Sequence, residues 1–356
     1  PRLLAEAGMA WVLAGDMGGT STRLALYDLA SARAWLADPR QPPQPFAHQV
    51  LPSRDFGGLE ALCAAFLRDA GGHAAVVGAA LGVAGPVVEG RCVATNLPWV
   101  IDAASLSDAL GGVPVSLCND LEALALGTLV LPEGATVMLQ QGVRRRGTIA
   151  VLAAGTGLGQ AQLFWDGERH HAGATEGGHV EFAPEHDEDA ALLDFTRARL
   201  VAGGYGTHVS WERLVSGMGL CTIAAYLREI RGLPFVSDVD AALAAGGDAA
   251  AAAIGRAALA GHCPASLRAA RWMVRLLGRQ AGNWALSLMA LGGVQIGGGI
   301  AGKLLPLLRE PAFLAAFADK GRYRPLMDQL PVAVVSDPLA GLYGALALAL
   351  QRTRDT

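Results

Sequence analysis

One device occurs twice in this chain, and it limits the fold more than anything else in the sequence. Residues 11–28 run Trp-Val-Leu-Ala-Gly-Asp-Met-Gly-Gly-Thr-Ser-Thr-Arg-Leu-Ala-Leu-Tyr-Asp. Apolar Val12, Leu13 and Ala14 lead into Gly15-Asp16, Gly18-Gly19-Thr20 turns the chain, and alternating Leu24 and Leu26 bring it back. Residues 148–166 repeat the plan: Thr148-Ile-Ala-Val-Leu, the turn Gly155-Thr-Gly-Leu-Gly159, then Gln160-Ala-Gln-Leu-Phe-Trp. Two strand–glycine turn–strand units, with helical segments between and after them, predict two related α/β halves facing one cleft.

The glycine corners carry chemistry as well as geometry. Bare N–H groups at Gly18-Gly19-Thr20 could face phosphate. Asp16 cannot help phosphate directly, because like charges repel, but it makes sense if Mg²⁺ lies between them, held through water. A plain hairpin turn rich in Asp and Gly gives the same letters. The second turn resembles a dinucleotide fingerprint only on the surface. That fingerprint opens a helix, whereas Gln160 and a strand follow here, so phosphate contact through backbone N–H and the Thr156 hydroxyl is the better reading. A near match to a Walker A loop, Gly297-Gly-Gly-Ile-Ala-Gly-Lys-Leu304, lacks the Ser or Thr that ligates Mg²⁺. Its glycines still permit close approach by a flat base or ribose.

Between the two devices lies Val115-Ser-Leu-Cys-Asn-Asp-Leu-Glu-Ala-Leu-Ala125. A short apolar strand ends on Asn119-Asp120, and Leu121, Leu124 and Ala125 then follow at helical spacing. Ligands of open α/β sheets collect at such strand ends. A carboxylate there can take a proton from a bound hydroxyl, and its amide neighbour can orient that hydroxyl. The competing reading is an Asp that caps the helix. Asn96, in a loop beside Trp99, suits a sugar edge or an ordinary surface loop. Glu176 and His179 have metal-site spacing for a helix, but Gly177-Gly178 argues against helix, and two polar side chains thrown from a glycine turn fit hydroxyl recognition better. Glu212 begins a helical stretch and is a cap or a third hydroxyl acceptor.

Other stretches read more simply. Residues 31–58, with Pro39, Pro42, Pro43 and Pro45, predict a strand flanked by loops. An amphipathic helix is expected over 57–70 and a buried strand over 75–88, stopped by Gly85-Pro86. The uncharged segment Gly282 to Gly302 imitates a membrane span in length, yet its glycines divide it into a helix end, a strand and a turn of buried core.

At 356 residues the chain suits about two domains. Hydrophobic residues at 52% and charged residues at 17% describe a globular protein, and a net charge of −4 leaves no footprint for nucleic acid or an anionic membrane. The five cysteines never form a CxxC pair, so a disulfide framework or zinc ribbon is disfavoured and a reducing cytoplasm is the natural home. The first residues lack the layout of a signal peptide.

Taken together, Asp16-Met-Gly-Gly-Thr20 with Arg23, Asn119-Asp120, Gly155-Thr-Gly-Leu-Gly159, Glu176-Gly-Gly-His179 and Gly292-Gly-Val-Gln-Ile-Gly-Gly-Gly299 come in an order that resembles the bacterial glucokinases of the sugar kinase, Hsp70 and actin superfamily. Glu212-Arg-Leu-Val-Ser-Gly217 and Phe317-Ala-Asp-Lys-Gly-Arg322 add to the likeness. The related ROK branch carries a Cys-rich zinc motif after its Glu-x-Gly-His segment, and no cysteine stands between 119 and 220 here. The resemblance implies an α/β fold: two actin-like (ribonuclease H-like) α/β domains hinged around a central active-site cleft. The small domain would take 9–118 plus 338–356, and the large one 119–337. It implies transfer of the ATP γ-phosphoryl group to the 6-hydroxyl of glucose, with Mg²⁺ as cofactor. Asp120 would be the base, with Asn119, Glu176, His179 and Glu212 on sugar hydroxyls. Asp16, Gly18, Gly19, Thr20 and Arg23 would form the first phosphate segment and Gly155, Thr156 and Gly157 the second, with Gly297, Gly298 and Gly299 near adenosine. A glycine run of Ala-Gly-Gly is common in relatives, so three glycines here are a departure. A homodimer is the oligomer the family suggests. A kinase for fructose, mannose or an N-acetyl hexosamine, or a sugar sensor that has lost catalysis, would share the scaffold.

Overall fold

A computed structural model describes residues 10–71, 75–94 and 97–353. It divides into two compact units, one of residues 1–136, 172–174 and 337–356 and the other of 137–171 and 175–336. Each is built on its own sheet.

In the first unit the opening apolar run forms β1 (Ala10–Met17), which pairs antiparallel with β2 (Ser21–Asp28) across the glycine turn. β3 (Ala47–Pro52) adds antiparallel to β2. On the other side β1 pairs parallel with β4 (Ala75–Val83). A small antiparallel sheet of β5 (Val87–Val88), β6 (Arg91–Val93) and β7 (Val100–Asp102) precedes β8 (Val115–Asn119), which lies parallel to β4. The main sheet therefore has the order β3-β2-β1-β4-β8.

Both faces of this sheet are buried, which is why its central strands read as unbroken apolar runs. Trp11, Leu13, Leu24 and Leu26 pack on one face with Leu59, Leu62, Cys63 and Phe66 of helix Leu59–Asp69. Val12, Ala14, Ala25 and Ala80 pack on the other with Leu342, Leu346 and Leu350 of the C-terminal helix, Ala340–Arg352. The expectation of strand and loop over 31–58 misses a helix, Leu29–Ala37. Its cap is Asp28, whose carboxylate accepts from Ser31 N at 2.8 Å. Only Ala32 and Trp35 of this helix are buried, too few to print a periodic pattern.

In the second unit the repeated device forms β10 (Ile149–Ala154) and β11 (Leu158–Trp165), antiparallel across the second glycine turn. With β9 (Thr136–Gln140), β12 (His170–Thr175), β13 (Gly293–Gly297) and β14 (Val332–Val335), the sheet runs β12-β11-β10-β13-β14-β9. β10, β13 and β14 are parallel neighbours. Five successive strands thus repeat the connectivity of the first unit, and the duplication seen in the turns extends to whole sheets. Helix Pro264–Leu288 is buried along much of its length and is followed by β13 and the short helix Gly299–Lys303. The uncharged stretch is divided as its glycines require, with a short helix where a turn was expected. No helix among the described residues is long and apolar enough to cross a membrane.

The boundary after residue 136 differs from the expected one after 118. Helix Asp120–Thr128 lies against the C-terminal helix, backbone to backbone. A Cβ on Gly127 would stand 1.8 Å from Ala340 O, and one on Gly344 1.7 Å from Ala123 O. Glycine alone allows that approach, and the helix stays with the first unit.

Candidate active site

In the first unit the parallel strands β1, β4 and β8 end side by side. Their register sets Asp16 opposite Gly82, and Gly82 opposite Cys118. Asn119 then turns the chain into helix Asp120–Thr128. Its Oδ1 accepts from Leu121 N at 2.9 Å, its Nδ2 donates to Gly85 O at 3.1 Å, and its own N–H donates to Glu122 Oε2 at 3.1 Å. This reciprocal cap belongs to Asn119 and Glu122. Asp120 occupies the first helical position, half-buried, with Oδ1 2.9 Å from Leu121 N. The amide of Asn119 is engaged with backbone through both its atoms, though an NH₂ group carries a second donor.

Gly82, which sequence reasoning passed over, sets how close this helix lies to the sheet. A Cβ there would meet Ala123 Cβ at 2.8 Å and Asp120 Cα at 3.5 Å. The electrostatics show how crowded with charge the strand ends are. Burial pushes the Cys118 thiol up, and the nearby carboxylates Glu122, Asp120 and Asp16 push it further.

Burial also raises the Asp16 carboxyl above the usual aspartate range, and the Arg23 guanidinium pulls it part of the way back. Arg23 Nη1 is 3.7 Å from Asp16 Oδ2 and donates to Pro338 O at 2.9 Å. The C-terminal helix begins beside the same carboxylate, with the Cβ position of Gly341 3.4 Å from it. Its positive end is well placed to favour the ionised form. The turn closes through Gly18 N to Ser21 O at 3.0 Å, so that N–H serves the hairpin, and half-buried Gly19 and exposed Thr20 form its rim.

In the second unit the turn between β10 and β11 has Thr156 exposed at its apex, and Gly155 N donates to Gly157 O at 2.9 Å. Gly297 lies opposite Ala153 in the parallel pairing of β13 with β10. Gly298 has φ +89°, and a Cβ on it would strike Ala154 O at 2.3 Å. The two glycine segments expected to serve one nucleotide are therefore neighbours at the ends of adjacent strands. Lys303 of the Walker-like stretch is exposed, and Leu304 is a core residue at 3% exposure, which explains the missing hydroxyl.

Glu176, His179 and Glu212 are brought together. A single 3₁₀ turn, Gly177–His179, replaces the helix that metal spacing would need. His179 Nε2 is 3.7 Å from Glu176 Oε2, and its Nδ1 is 3.9 Å from Glu212 Oε1. Of the glycines between, Gly178 is held against backbone and Gly177 against a side-chain end. A Cβ on Gly178 would lie 1.9 Å from Leu158 O, and one on Gly177 2.3 Å from Gln160 Oε1. The cluster is thereby laid directly on the second glycine hairpin. Glu212 sits in a 3₁₀ turn, Trp211–Arg213, ahead of helix Gly217–Glu229, and not within that helix. Asn96 lies outside the described residues.

Chemically, the first unit offers carboxylates at strand ends beside a glycine turn. The second offers a glycine cradle joined to a cluster of two carboxylates and an imidazole. A family model described as Glucokinase matches residues 13–352 of this chain. The glucokinase of Synechocystis sp. is 35% identical over 363 residues, spanning 95% of this chain and 98% of its own. Among solved structures, a glucokinase from an Antarctic psychrotroph superposes with a TM-score of 0.78 at 30% identity, covering 96% of this chain and 99% of that one. A glucokinase from Balamuthia mandrillaris, solved in complex with glucose, gives a TM-score of 0.76 at 22% identity over 97% and 95% of the two chains, which speaks for the fold alone.

Proposed function

This chain belongs to the glucokinase family, and we propose that its reaction runs through Asp120 as the proton acceptor. It is an actin-like α/β sugar kinase that phosphorylates glucose to glucose 6-phosphate with ATP as donor. The observation that carries the Asp120 assignment is the corner after β8. There Asn119 and Glu122 cap the helix, and the Asp120 carboxylate stands at the carboxyl end of a parallel strand.

In this reading Glu176, His179, Glu212 and Asn119 hold sugar hydroxyls, and Asp120 acts on the 6-hydroxyl. The 6-oxygen attacks the γ-phosphorus, the bond to the β–γ bridging oxygen breaks, and the hydroxyl proton passes to Asp120. Gly19, Thr20, Thr156 and Gly157 cradle phosphates, and Gly297 to Gly299 lie along the nucleoside. Little covalent chemistry is asked of the protein, so positioning carries much of the rate.

Mg²⁺ takes one or two carboxylates together with substrate phosphates in place of an all-protein cage. Asp16, a half-buried carboxylate beside a glycine turn, fits that donor set. When bound, the ion would neutralise charge on the phosphates. We place the protein in the cytoplasm, in keeping with the unpaired, buried thiols of Cys63, Cys92, Cys118 and Cys263.

The test is ADP release with MgATP and a panel of hexoses, with the product position read by phosphorus NMR. Glucose should be turned over in preference to fructose, mannose and N-acetyl hexosamines, and the phosphate should sit on the 6-oxygen. Glucose binding without ADP release would point instead to a sensor.

A further inference from the structure

Glu212 does more in this structure than face a sugar. Its Oε2 accepts a hydrogen bond from Leu158 N, within the second glycine turn, at 3.0 Å. Its Oε1 faces His179 Nδ1. The same short segment grips the turn a second time, through Gly217 N to Gly155 O at 2.9 Å. Between these grips Ser216 Oγ donates to Glu212 O at 2.7 Å and accepts from Gly219 N at 3.1 Å, which fixes the segment to the start of its helix. Gly157 fits the arrangement closely. A Cβ there would stand 2.4 Å from Glu212 Oε2, where only the carboxylate itself could give way.

We propose that Glu212 is a positioning residue for the nucleotide: its carboxylate holds the Gly155–Gly159 turn in shape with one oxygen and receives the sugar cluster's influence through the other. This rests on the reading of that turn as a phosphate site. A hydrogen bond from a backbone N–H to a half-buried carboxylate is of the strong, charge-assisted kind. A turn that loses it must be ordered by the nucleotide itself, at a cost in affinity. Sugar that engages the Oε1 side restrains the same side chain, so sugar and nucleotide should favour one another's binding. By linkage the effect is the same from either side.

The experiment is calorimetric binding of a non-hydrolysable ATP analogue with Mg²⁺, first without sugar and then with saturating glucose. Without sugar, Glu212→Ala should bind the analogue about tenfold more weakly than wild type, the scale of one charge-assisted hydrogen bond. Glu212→Gln, whose amide oxygen can still accept from Leu158 N, should stay within about threefold. Glucose should tighten the analogue in wild type and leave Glu212→Ala unchanged. A residue that only held sugar would leave the sugar-free affinity untouched, and an unchanged or tighter value in Glu212→Ala overturns the proposal. So does a glutamine variant as weak as the alanine one.

Gly157→Ala, measured in the wild-type and Glu212→Ala backgrounds, provides a second measurement. It should weaken the analogue in the wild-type background, where the new Cβ meets the carboxylate, and much less in Glu212→Ala. Equal effects in both backgrounds would contradict the positioning role of Glu212. Thr156→Val separates the two levels of the argument. If it loses nucleotide while Glu212→Ala does not, the phosphate turn stands and the positioning role of Glu212 fails. If neither variant changes the affinity, the turn itself has been misassigned.

Discussion

At the scale of single residues, each assigned side chain has a measurable job. Glu176, the proposed hydroxyl partner, is over half exposed beside His179, and on that role Glu176→Ala should weaken glucose binding by roughly 1–3 kcal/mol in calorimetry, the range for hydrogen bonds to charged groups. An affinity within a factor of two of wild type would remove it from the sugar site. Asp16 must be charged to hold Mg²⁺, and burial raises its pKa. Lowering the pH through that raised pKa protonates the carboxyl, so the apparent affinity for Mg²⁺ should begin to fall at a higher pH than an ordinary aspartate would allow. Asp16→Asn should bind Mg²⁺ weakly at every pH, and a pH dependence identical to wild type would show that another group is responsible. The Asn119-Asp120 corner could be read from the sequence because an apolar strand pattern broken by two polar residues is a local signal. Which of the two caps the helix was not legible, since that depends on Gly85 O accepting from the Asn119 side-chain amide while Glu122 accepts from the Asn119 backbone N–H. The link from Glu212 to Leu158 joins residues 54 apart and leaves no mark on either local pattern.

Among elements, the seating of helix Asp120–Thr128 decides where Asp120 stands. Gly344→Ala puts a methyl 1.7 Å from a backbone carbonyl, which no rotamer change relieves. It should destabilise the protein by about 1–3 kcal/mol, the usual cost of overpacking, and lower kcat by shifting the helix that begins with Asp120. Thermal unfolding and steady-state kinetics read the two effects, and an unchanged Tm would mean the helices are not in contact at that point. The strands flanking both glycine turns were legible because two-sided burial writes continuous apolar runs. Helix Leu29–Ala37 was not, with two buried residues and prolines close behind. The role of Gly127 and Gly344 also stayed hidden, although Ala123-x-x-x-Gly127 and Ala340-x-x-x-Gly344 carry the small-residue spacing of a close helix contact. That spacing has meaning only when the partner helix is known, and the partner lies at the other end of the chain.

For the molecule as a whole, the duplicated sheet order turns a repeated turn into a division of labour. The proposed base belongs to one unit, and the sugar cluster with its attached glycine turn belongs to the other. On these proposed roles transfer needs a substrate that offers hydroxyls to several groups at once. Water cannot do so, and induced fit of this kind protects the donor from hydrolysis. ATP hydrolysis without sugar should therefore run at a small fraction of the kinase rate, and comparable rates in the same ADP-release assay would contradict this. The most direct test of the central claim is the turnover of Asp120→Asn set beside its glucose affinity. The substitution keeps shape and removes the proton acceptor. Calorimetric glucose binding should stay within a few-fold of wild type while kcat falls by about 10²–10⁴, the range for loss of a general base. An Asp120→Asn enzyme that binds glucose and turns over within a few-fold of wild type would contradict the account.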